Sequence, residues 1–92
     1  MDLSKKNTLI TGASSGIGEA LATKLAKEAA VLILVARRLE KMEELKTNLI
    51  KENSQLIVKL FPKDITIREN QIYILESLKE QEIDIDVLIN NA

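Results

Sequence analysis

All three glycines of this 92-residue chain fall within eight residues, Thr11–Gly18. The preceding stretch, Asn7–Thr11, places Leu9 and Ile10 between threonines, and the following stretch repeats an apolar side chain every four residues at Ile17, Leu21 and Leu25. The first pattern is typical of a buried strand, and the second of one face of a helix. The sequence therefore predicts a strand, a glycine-rich loop and a helix in direct succession, an arrangement that can bind phosphate groups.

Each glycine has a separate predicted role in such a loop. Gly12 can take a backbone conformation that a Cβ disfavours, Gly16 lets a pyrophosphate approach the main chain, and Gly18 lets the helix lie close to the sheet. A helix that begins near Gly16 would direct unpaired N–H groups and the positive end of its dipole at the anion. Ser14 and Ser15 are predicted either to cap this helix or to donate hydroxyl hydrogen bonds to a phosphate.

The spacing Gly-x-x-x-Gly-x-Gly distinguishes this loop from two other phosphate-binding loops. Most dinucleotide sites use Gly-x-Gly-x-x-Gly, and a P-loop requires Lys and then Ser or Thr directly after its second glycine. Ile17 and Gly18 occupy those positions, so a P-loop is excluded. The alternative without a ligand is a simple glycine turn followed by a helix cap.

The segment Thr-Gly-Ala-Ser-Ser-Gly-Ile-Gly resembles the cofactor signature of the classical short-chain dehydrogenase/reductase family. Asp64-Ile65-Thr66 resembles the acidic dipeptide after the family's third strand, and Leu88–Ala92 resembles its Asn-Asn-Ala-Gly signature without the last glycine. The three motifs follow the family's order and span the chain. The resemblance implies a NAD(P)-binding Rossmann domain over residues 1–92, truncated after its fourth strand. It thus implies the N-terminal fragment of a longer oxidoreductase.

Apolar runs alternate with helical patterns along the rest of the chain. Val31–Ala36, Leu56–Pro62 and Asp84–Asn90 predict three further strands. Such alternation predicts an α/β fold with a doubly wound parallel sheet. The resemblance implies the strand order 3-2-1-4, and Pro62, which has no N–H for a ladder, also favours an edge position for the third strand.

Two further helices are predicted between these strands. Apolar residues at helical spacing from Leu39 to Leu49 predict the second helix. A Thr-x-x-Glu capping box at Thr66 and Glu69 predicts the start of the third. The apolar face of that helix is predicted to comprise Ile72, Leu75 and Leu78. After the first helix, Lys27–Ala30 lacks the glycine that many family members use as a helix C-cap, which indicates a different turn or a small loss of stability.

The end of the second strand selects between the two nicotinamide cofactors in this class of fold. An acid there bonds to the ribose hydroxyls and favours NAD, whereas an arginine accommodates a 2′-phosphate. Ala36 occupies this position and is followed by Arg37 and Arg38. We therefore expect NADP(H) to be preferred, with NAD(H) as the alternative cofactor. Arg37 is the expected phosphate contact, with Arg38 beside it or stacked on the adenine, and the alternative is ordinary solvated surface.

The resemblance implies further cofactor contacts after the third and fourth strands. Asp64 would accept a hydrogen bond from the adenine amino group beside the Ile65 backbone, or would merely begin the third helix. Asn90 would shape the cofactor channel, and Asn91 and Ala92 would hold the strand end, with structural support as the alternative for all three. The predicted cofactor-binding residues are Gly12, Ser14, Ser15, Gly16, Ile17, Gly18, Arg37, Arg38, Asp64, Ile65, Asn90 and Ala92.

No catalytic residue is predicted within the chain. Family catalysis uses a tyrosine with a lysine four residues later, but Ser77 follows the chain's single tyrosine, Tyr73, at that interval. The resemblance thus implies the cofactor-binding part of an NADP-dependent enzyme that acts on a small-molecule carbonyl or alcohol, and a homo-oligomeric parent protein. The alternatives are a non-catalytic dinucleotide-binding or sensor protein and a truncated product without activity.

Composition argues against several other classes of function. With 13 basic and 14 acidic residues, the net charge of −1 gives no reason to expect nucleic acid or an anionic membrane as a partner. The chain has neither cysteine nor histidine, so the usual zinc ligands are missing and no metal is expected. No apolar run approaches the length of about 20 residues that a membrane span needs. A cytoplasmic location is therefore expected.

Overall fold

The computed structural model describes residues 5–91. The strands are β1 (Asn7–Thr11), β2 (Val31–Ala36), β3 (Ile57–Pro62) and β4 (Val87–Asn90), and the helices are α1 (Gly16–Leu25), α2 (Leu39–Glu52) and α3 (Arg68–Glu80). The strands form one sheet in the order β3-β2-β1-β4, and every neighbouring pair is parallel. The predicted α/β class and strand order are confirmed.

The sheet has an apolar cluster on each face, because successive side chains of a strand point to opposite sides. On one face, α1 and α2 cover a cluster that includes Ile10, Leu32 and Leu34. On the other face, α3 covers a second cluster that includes Leu9 and Ile33. Every residue of β2 is buried, which explains why this strand reads as a continuous apolar run.

The buried face of α1 differs from the face that the leucine spacing predicted. Ile17 is 69% exposed, and Leu21 and Leu25 are only half-buried. Small residues occupy the side that packs on the sheet: Gly18, Ala22 and Ala26. The helix lies too close to the strands for larger side chains, so the apolar repeat marked the flank of the interface and not its centre.

The predicted capping box of α3 is wrong. Ile67 occupies the N-cap position and provides no side-chain hydrogen bond. The Thr66 hydroxyl instead donates to Asp64 Oδ1 at 2.6 Å. Asp64 Oδ1 also accepts a hydrogen bond from the Thr66 N–H at 2.9 Å, so the Asp64 side chain orders the turn before the helix as an Asx turn.

The predicted apolar face of α3 is partly wrong as well. Leu78 is buried as expected, together with Ile74, whereas Ile72 and Leu75 are 45% and 57% exposed. The residues that face the sheet are four apart, and Leu75 is turned from Ile74 by one residue, which is about 100° around a helix. Part of the apolar surface of α3 thus remains open.

The turn after α1 avoids a left-handed alanine. Ala26 at the C-cap has a φ of −57°, and the turn closes with hydrogen bonds from the Glu28 and Ala29 N–H groups to the Leu25 carbonyl. Among the described residues other than glycine, positive φ values occur at Lys5 and Glu82. The turn thus differs from a left-handed glycine C-cap, which is the first of the two alternatives expected for this segment.

Candidate functional site

A cavity of about 640 Å³ opens at the carboxyl edge of the sheet. Parallel strands bring their carboxyl ends to the same edge, and ligands of open α/β sheets bind there. The cavity is lined by the glycine loop, the β2–α2 connection, the β3–α3 connection and the residue after β4. The lining residues are Gly12, Ser14, Ser15, Gly16, Val35, Ala36, Arg37, Arg38, Lys41, Lys63, Asp64, Ile65, Thr66 and Asn91.

The backbone of the glycine loop has the predicted form. Gly12 has a φ of 64°, which is a left-handed conformation that favours glycine. A Cβ on Gly18 would lie 2.2 Å from the Gly12 carbonyl oxygen, whereas a Cβ on Gly16 would meet no atom within 4 Å. Gly18 is therefore required by the packing of α1 on the loop. Gly16 lines the cavity and has open space beside it, so a ligand can approach the main chain there.

The two serines of the loop differ in their hydrogen bonding. Ser15 Oγ donates to the Gly12 carbonyl at 2.8 Å and accepts from Gly18 N at 3.2 Å and Asn91 Nδ2 at 2.9 Å. One donated and two accepted bonds use the full capacity of a hydroxyl. Ser15 is thus the N-cap of α1 and has no hydrogen left for a phosphate. Ser14 lines the cavity, and its hydroxyl has no hydrogen bond within residues 5–91.

The end of β4 is bonded to β1 and to the glycine loop. Thr11 Oγ1 donates to Asn90 Oδ1 at 2.9 Å and accepts from Asn91 N at 2.9 Å. The Asn91 side chain donates to the Gly12 carbonyl at 3.3 Å as well as to Ser15. Asn91 lines the cavity, whereas Asn90 does not. Ala92, which the sequence also placed at the site, lies outside the described residues.

Four cationic side chains line the cavity against a single carboxylate, that of Asp64. Arg37 and Arg38 follow β2, and both are exposed. Ala36 occupies the last position of β2, so no acid stands where NAD-binding sites of this fold place one. The cavity is thus positively charged where β2 ends. Ile17, also predicted to contact the cofactor, is exposed and is not among the lining residues.

Asp64 is held in place from two sides. Its Oδ1 accepts hydrogen bonds from Thr66 N at 2.9 Å and from Thr66 Oγ1 at 2.6 Å. Side chains of α3 bind the adjoining carbonyls: Asn70 donates to Asp64 O at 2.9 Å, and Gln71 donates to Ile65 O at 2.7 Å. The Thr66 hydroxyl, the Thr66 N–H and then the positive charge of Arg37 hold the pKa of Asp64 below its ordinary value. The ionised carboxylate can accept a further hydrogen bond through Oδ2.

Six lining residues are absent from the predicted cofactor-binding set: Val35, Ala36, Lys41, Lys63, Thr66 and Asn91. The two lysines read as ordinary solvated charges. Lys41 lies three residues after Arg38 and Lys63 precedes Asp64, so proximity to predicted site residues was the available signal. Asn91 was expected to support the strand end, but its contact with Ser15 depends on how β4 meets the loop.

The described residues show neither a metal cluster nor a membrane helix. Nowhere in residues 5–91 do three acidic, cysteine or histidine side chains gather as they would around a metal ion. None of the helices in this part of the chain combines the length and the apolarity that crossing a bilayer requires.

A parallel sheet in the order 3-2-1-4 with a glycine loop at its carboxyl edge defines the N-terminal half of a Rossmann-type fold. The model of the short chain dehydrogenase family matches residues 6–92. The chain belongs to this family.

Similar proteins include enzymes that use either nicotinamide cofactor. A "NADP-dependent 3-hydroxy acid dehydrogenase" of Schizosaccharomyces pombe is 44% identical over 93 residues, which cover 98% of this chain and 35% of that protein. L-Sorbose reductase from Gluconobacter frateurii, solved with NADPH and L-sorbose, matches with a TM-score of 0.88 at 36% identity, over 100% of this chain and 35% of that one. NAD⁺-bound xylitol dehydrogenase matches with a TM-score of 0.87 at 28% identity and the same coverage. The chain thus spans about a third of the length of these relatives.

Proposed function

We propose that the chain binds NADP(H) and prefers it to NAD(H), as the cofactor-binding part of a short-chain dehydrogenase/reductase. The observation that carries this proposal is the lining of the cavity where β2 ends: Ala36, the last residue of β2, is not an acid and is followed by Arg37 and Arg38. An arginine there accommodates a 2′-phosphate. The relatives named for NADP and NADPH are consistent with this preference.

The residues present fit the cofactor along its length. Gly16 leaves open space beside the main chain at the start of α1, where unpaired N–H groups can bind a pyrophosphate. Ser14 is the hydroxyl available as a further donor there. Asp64 would accept a hydrogen bond from the adenine amino group, beside the Ile65 backbone. Arg37 would bind the 2′-phosphate, with Arg38 next to it.

In the parent protein, the proposed activity is an oxidoreduction in which the nicotinamide exchanges a hydride with a carbonyl or alcohol carbon. The substrate is a small molecule of that class, by analogy with the relatives. The homo-oligomeric state and the cytoplasmic location expected from the sequence stay predictions.

The chain itself is proposed to be inactive. Tyr73 is followed after four residues by Ser77 and not by lysine. Its ring packs against Phe61 and Lys63 and does not line the cavity. Turnover of NADPH with aldehydes and ketones, retained by a repurified Tyr73→Phe variant, would contradict this proposal.

Calorimetric titration with NADPH and NADH tests the cofactor proposal. One charge-assisted contact corresponds to about a ten- to hundredfold difference in affinity in favour of NADPH. The double variant Ala36→Asp with Arg37→Ala is expected to reverse the preference, because it supplies the acid and removes the phosphate contact. Arg68→Ala, at the start of α3 and outside the cavity lining, is the matched control. Equal affinities of the unmodified chain for both cofactors would refute the proposal.

A further inference from the structure

Lys63 lines the cavity and also contacts an aromatic pair. Its Nζ lies 5.0 Å from the centroid of the Tyr73 ring. That ring meets the Phe61 ring edge-on, with the centroids 6.3 Å apart and an interplanar angle of 81°. Phe61 is buried within the apolar cluster beneath α3. The chain of contacts thus runs from the core through an aromatic side chain to a cation.

Tyr73 is otherwise hard to explain as a core residue. It is 53% exposed, and the side chains of α3 that face the sheet are Ile74 and Leu78. An aromatic ring on this flank of the helix offers its face to a cation, which is an electrostatically favourable arrangement. A free lysine side chain carries a large rotamer entropy, so restraint by the ring lowers the entropy that Lys63 loses when it meets an anion.

Lys63 lies among other charged side chains that line the cavity. Asp64, the next residue, lines the same cavity, and the Thr66 hydrogen bonds and the charge of Arg37 lower the pKa of its carboxyl group. A carboxylate there repels any anionic ligand and partly offsets the arginine. Lys63 is half-buried and lines the same cavity, so a fixed cation at this position restores the positive potential.

We propose that Lys63 is a specificity-determining residue that favours ligands with a 2′-phosphate, and that Tyr73 is a positioning residue that holds Lys63 at the cavity. This inference rests on the proposed function, because it assumes that the adenosine end of a dinucleotide occupies this cavity. It adds a residue after β3 to the two arginines after β2. The selectivity for the phosphate thus comes from both sides of the adenosine position.

Two small ligands test the inference without reference to enzyme activity. Adenosine 2′,5′-bisphosphate carries the 2′-phosphate and 5′-AMP lacks it, so the ratio of their dissociation constants isolates that phosphate. In Lys63→Met we expect the bisphosphate to bind about fivefold more weakly, as for the loss of one partly screened charge, with 5′-AMP changed by less than about twofold. Lys59→Met, on β3 and outside the cavity lining, is the matched control and is expected to leave the ratio unchanged.

Variants of Tyr73 test the positioning role. Tyr73→Leu is expected to reduce the preference for the bisphosphate over 5′-AMP by about two- to threefold, because the lysine remains but loses its restraint. Tyr73→Phe keeps the aromatic face and should restore the selectivity of the unmodified chain. This rescue separates positioning from a contact made by the tyrosine hydroxyl. Raising the salt concentration should reduce the difference between Lys63→Met and the unmodified chain.

The outcomes separate failure of the inference from failure of the proposed function. If the unmodified chain binds the bisphosphate more tightly than 5′-AMP, but Lys63→Met has the same ratio, the inference is wrong and the proposed function stands. A similar loss of both ligands in Lys63→Met also overturns the inference. If the unmodified chain shows no preference for the bisphosphate, both fail. Circular dichroism checks that each variant is folded; should Tyr73→Leu unfold, the comparison of Lys63→Met with Lys59→Met still decides the role of Lys63.

Discussion

The side-chain nitrogen of Asn91 lies 2.9 Å from Ser15 Oγ, across 76 residues of sequence. The same nitrogen lies 3.3 Å from the Gly12 carbonyl oxygen. The end of β4 therefore holds the loop that joins β1 to α1. Because Ser15 is also the N-cap of α1, one amide supports both the loop and the first turn of the helix.

Asn91→Ala should loosen the glycine loop. It removes two hydrogen bonds, each worth about 1 kcal/mol, and leaves the backbone of β4 intact. We expect about tenfold weaker binding of NADPH and faster amide hydrogen exchange in residues 12–18. Asn48→Ala, on the exposed side of α2, is the control. Unchanged exchange in the loop would show that Asn91 does not support it.

Gly18 and Gly16 should respond differently to the same substitution. Gly18→Ala places a methyl group against the Gly12 carbonyl and should lower the free energy of unfolding by about 3 kcal/mol, the upper range of overpacking costs. Gly16→Ala meets no atom within 4 Å, so its stability should hold while its affinity for NADPH falls by at least about tenfold as the methyl displaces the pyrophosphate. Urea unfolding and calorimetry measure the two effects. Full NADPH affinity in Gly16→Ala would refute the predicted approach of the pyrophosphate.

Thr8 carries a hydroxyl that is buried without a hydrogen-bond partner in the described part of the chain. Its side chain is fully buried in β1. Thr8→Val has nearly the same shape and removes the unsatisfied group, so it should raise the free energy of unfolding by about 1 kcal/mol. In the control Thr47→Val, on the exposed side of α2, the change should stay within about 0.5 kcal/mol. A destabilised Thr8→Val would indicate that the hydroxyl is satisfied in solution.

The ionisation of Asp64 should couple to the stability of its turn. In the folded chain, the Thr66 hydrogen bonds lower the pKa of Asp64 below its ordinary value of 3.8. Stabilisation by the ionised carboxylate is therefore fully present above pH 3.8 and is lost as the pH falls through the lower folded pKa. An NMR titration of the Asp64 carboxyl group measures this, and Thr66→Val should shift the pKa back upward. An identical titration in that variant would show that the hydroxyl bond has no effect.

The edge of β4 is predicted to promote self-association of the 92-residue chain. Within the described residues, β4 pairs with β1 on one side only, and Leu88 is 63% exposed. A charge on an exposed edge strand opposes pairing between molecules. Leu88→Lys should therefore reduce the molecular mass measured by light scattering more than Leu75→Lys, which changes an exposed leucine of α3. A monodisperse monomer of the unmodified chain would refute the prediction.

The sequence by itself determined the order and type of the elements. The continuous apolar run of β2 and the alternation of strands with helices predicted the parallel sheet. The positions of Gly12 and Gly18 in the sequence predicted their conformational roles, because a left-handed backbone or a close helix contact restricts the choice of residue at a single position. The two arginines after β2 indicated the proposed phosphate contact, because they come directly after a strand end that the sequence predicted.

The tertiary structure alone decided which side chains meet. The repeat of Ile17 and Leu21 marked the flank of the buried face of α1 and not its centre, because the short distance of the helix from the sheet selects small innermost residues. The Thr66 hydroxyl bonds to Asp64 and does not cap α3. Both the bond to Asp64 and a capping bond to the first turn of α3 are possible from the local sequence, so the conformation of the turn decides which one forms. Periodicity reports on neighbours a few residues apart. A contact such as that between Asn91 and Ser15 exists because the parallel sheet brings the two distant strand ends to one edge.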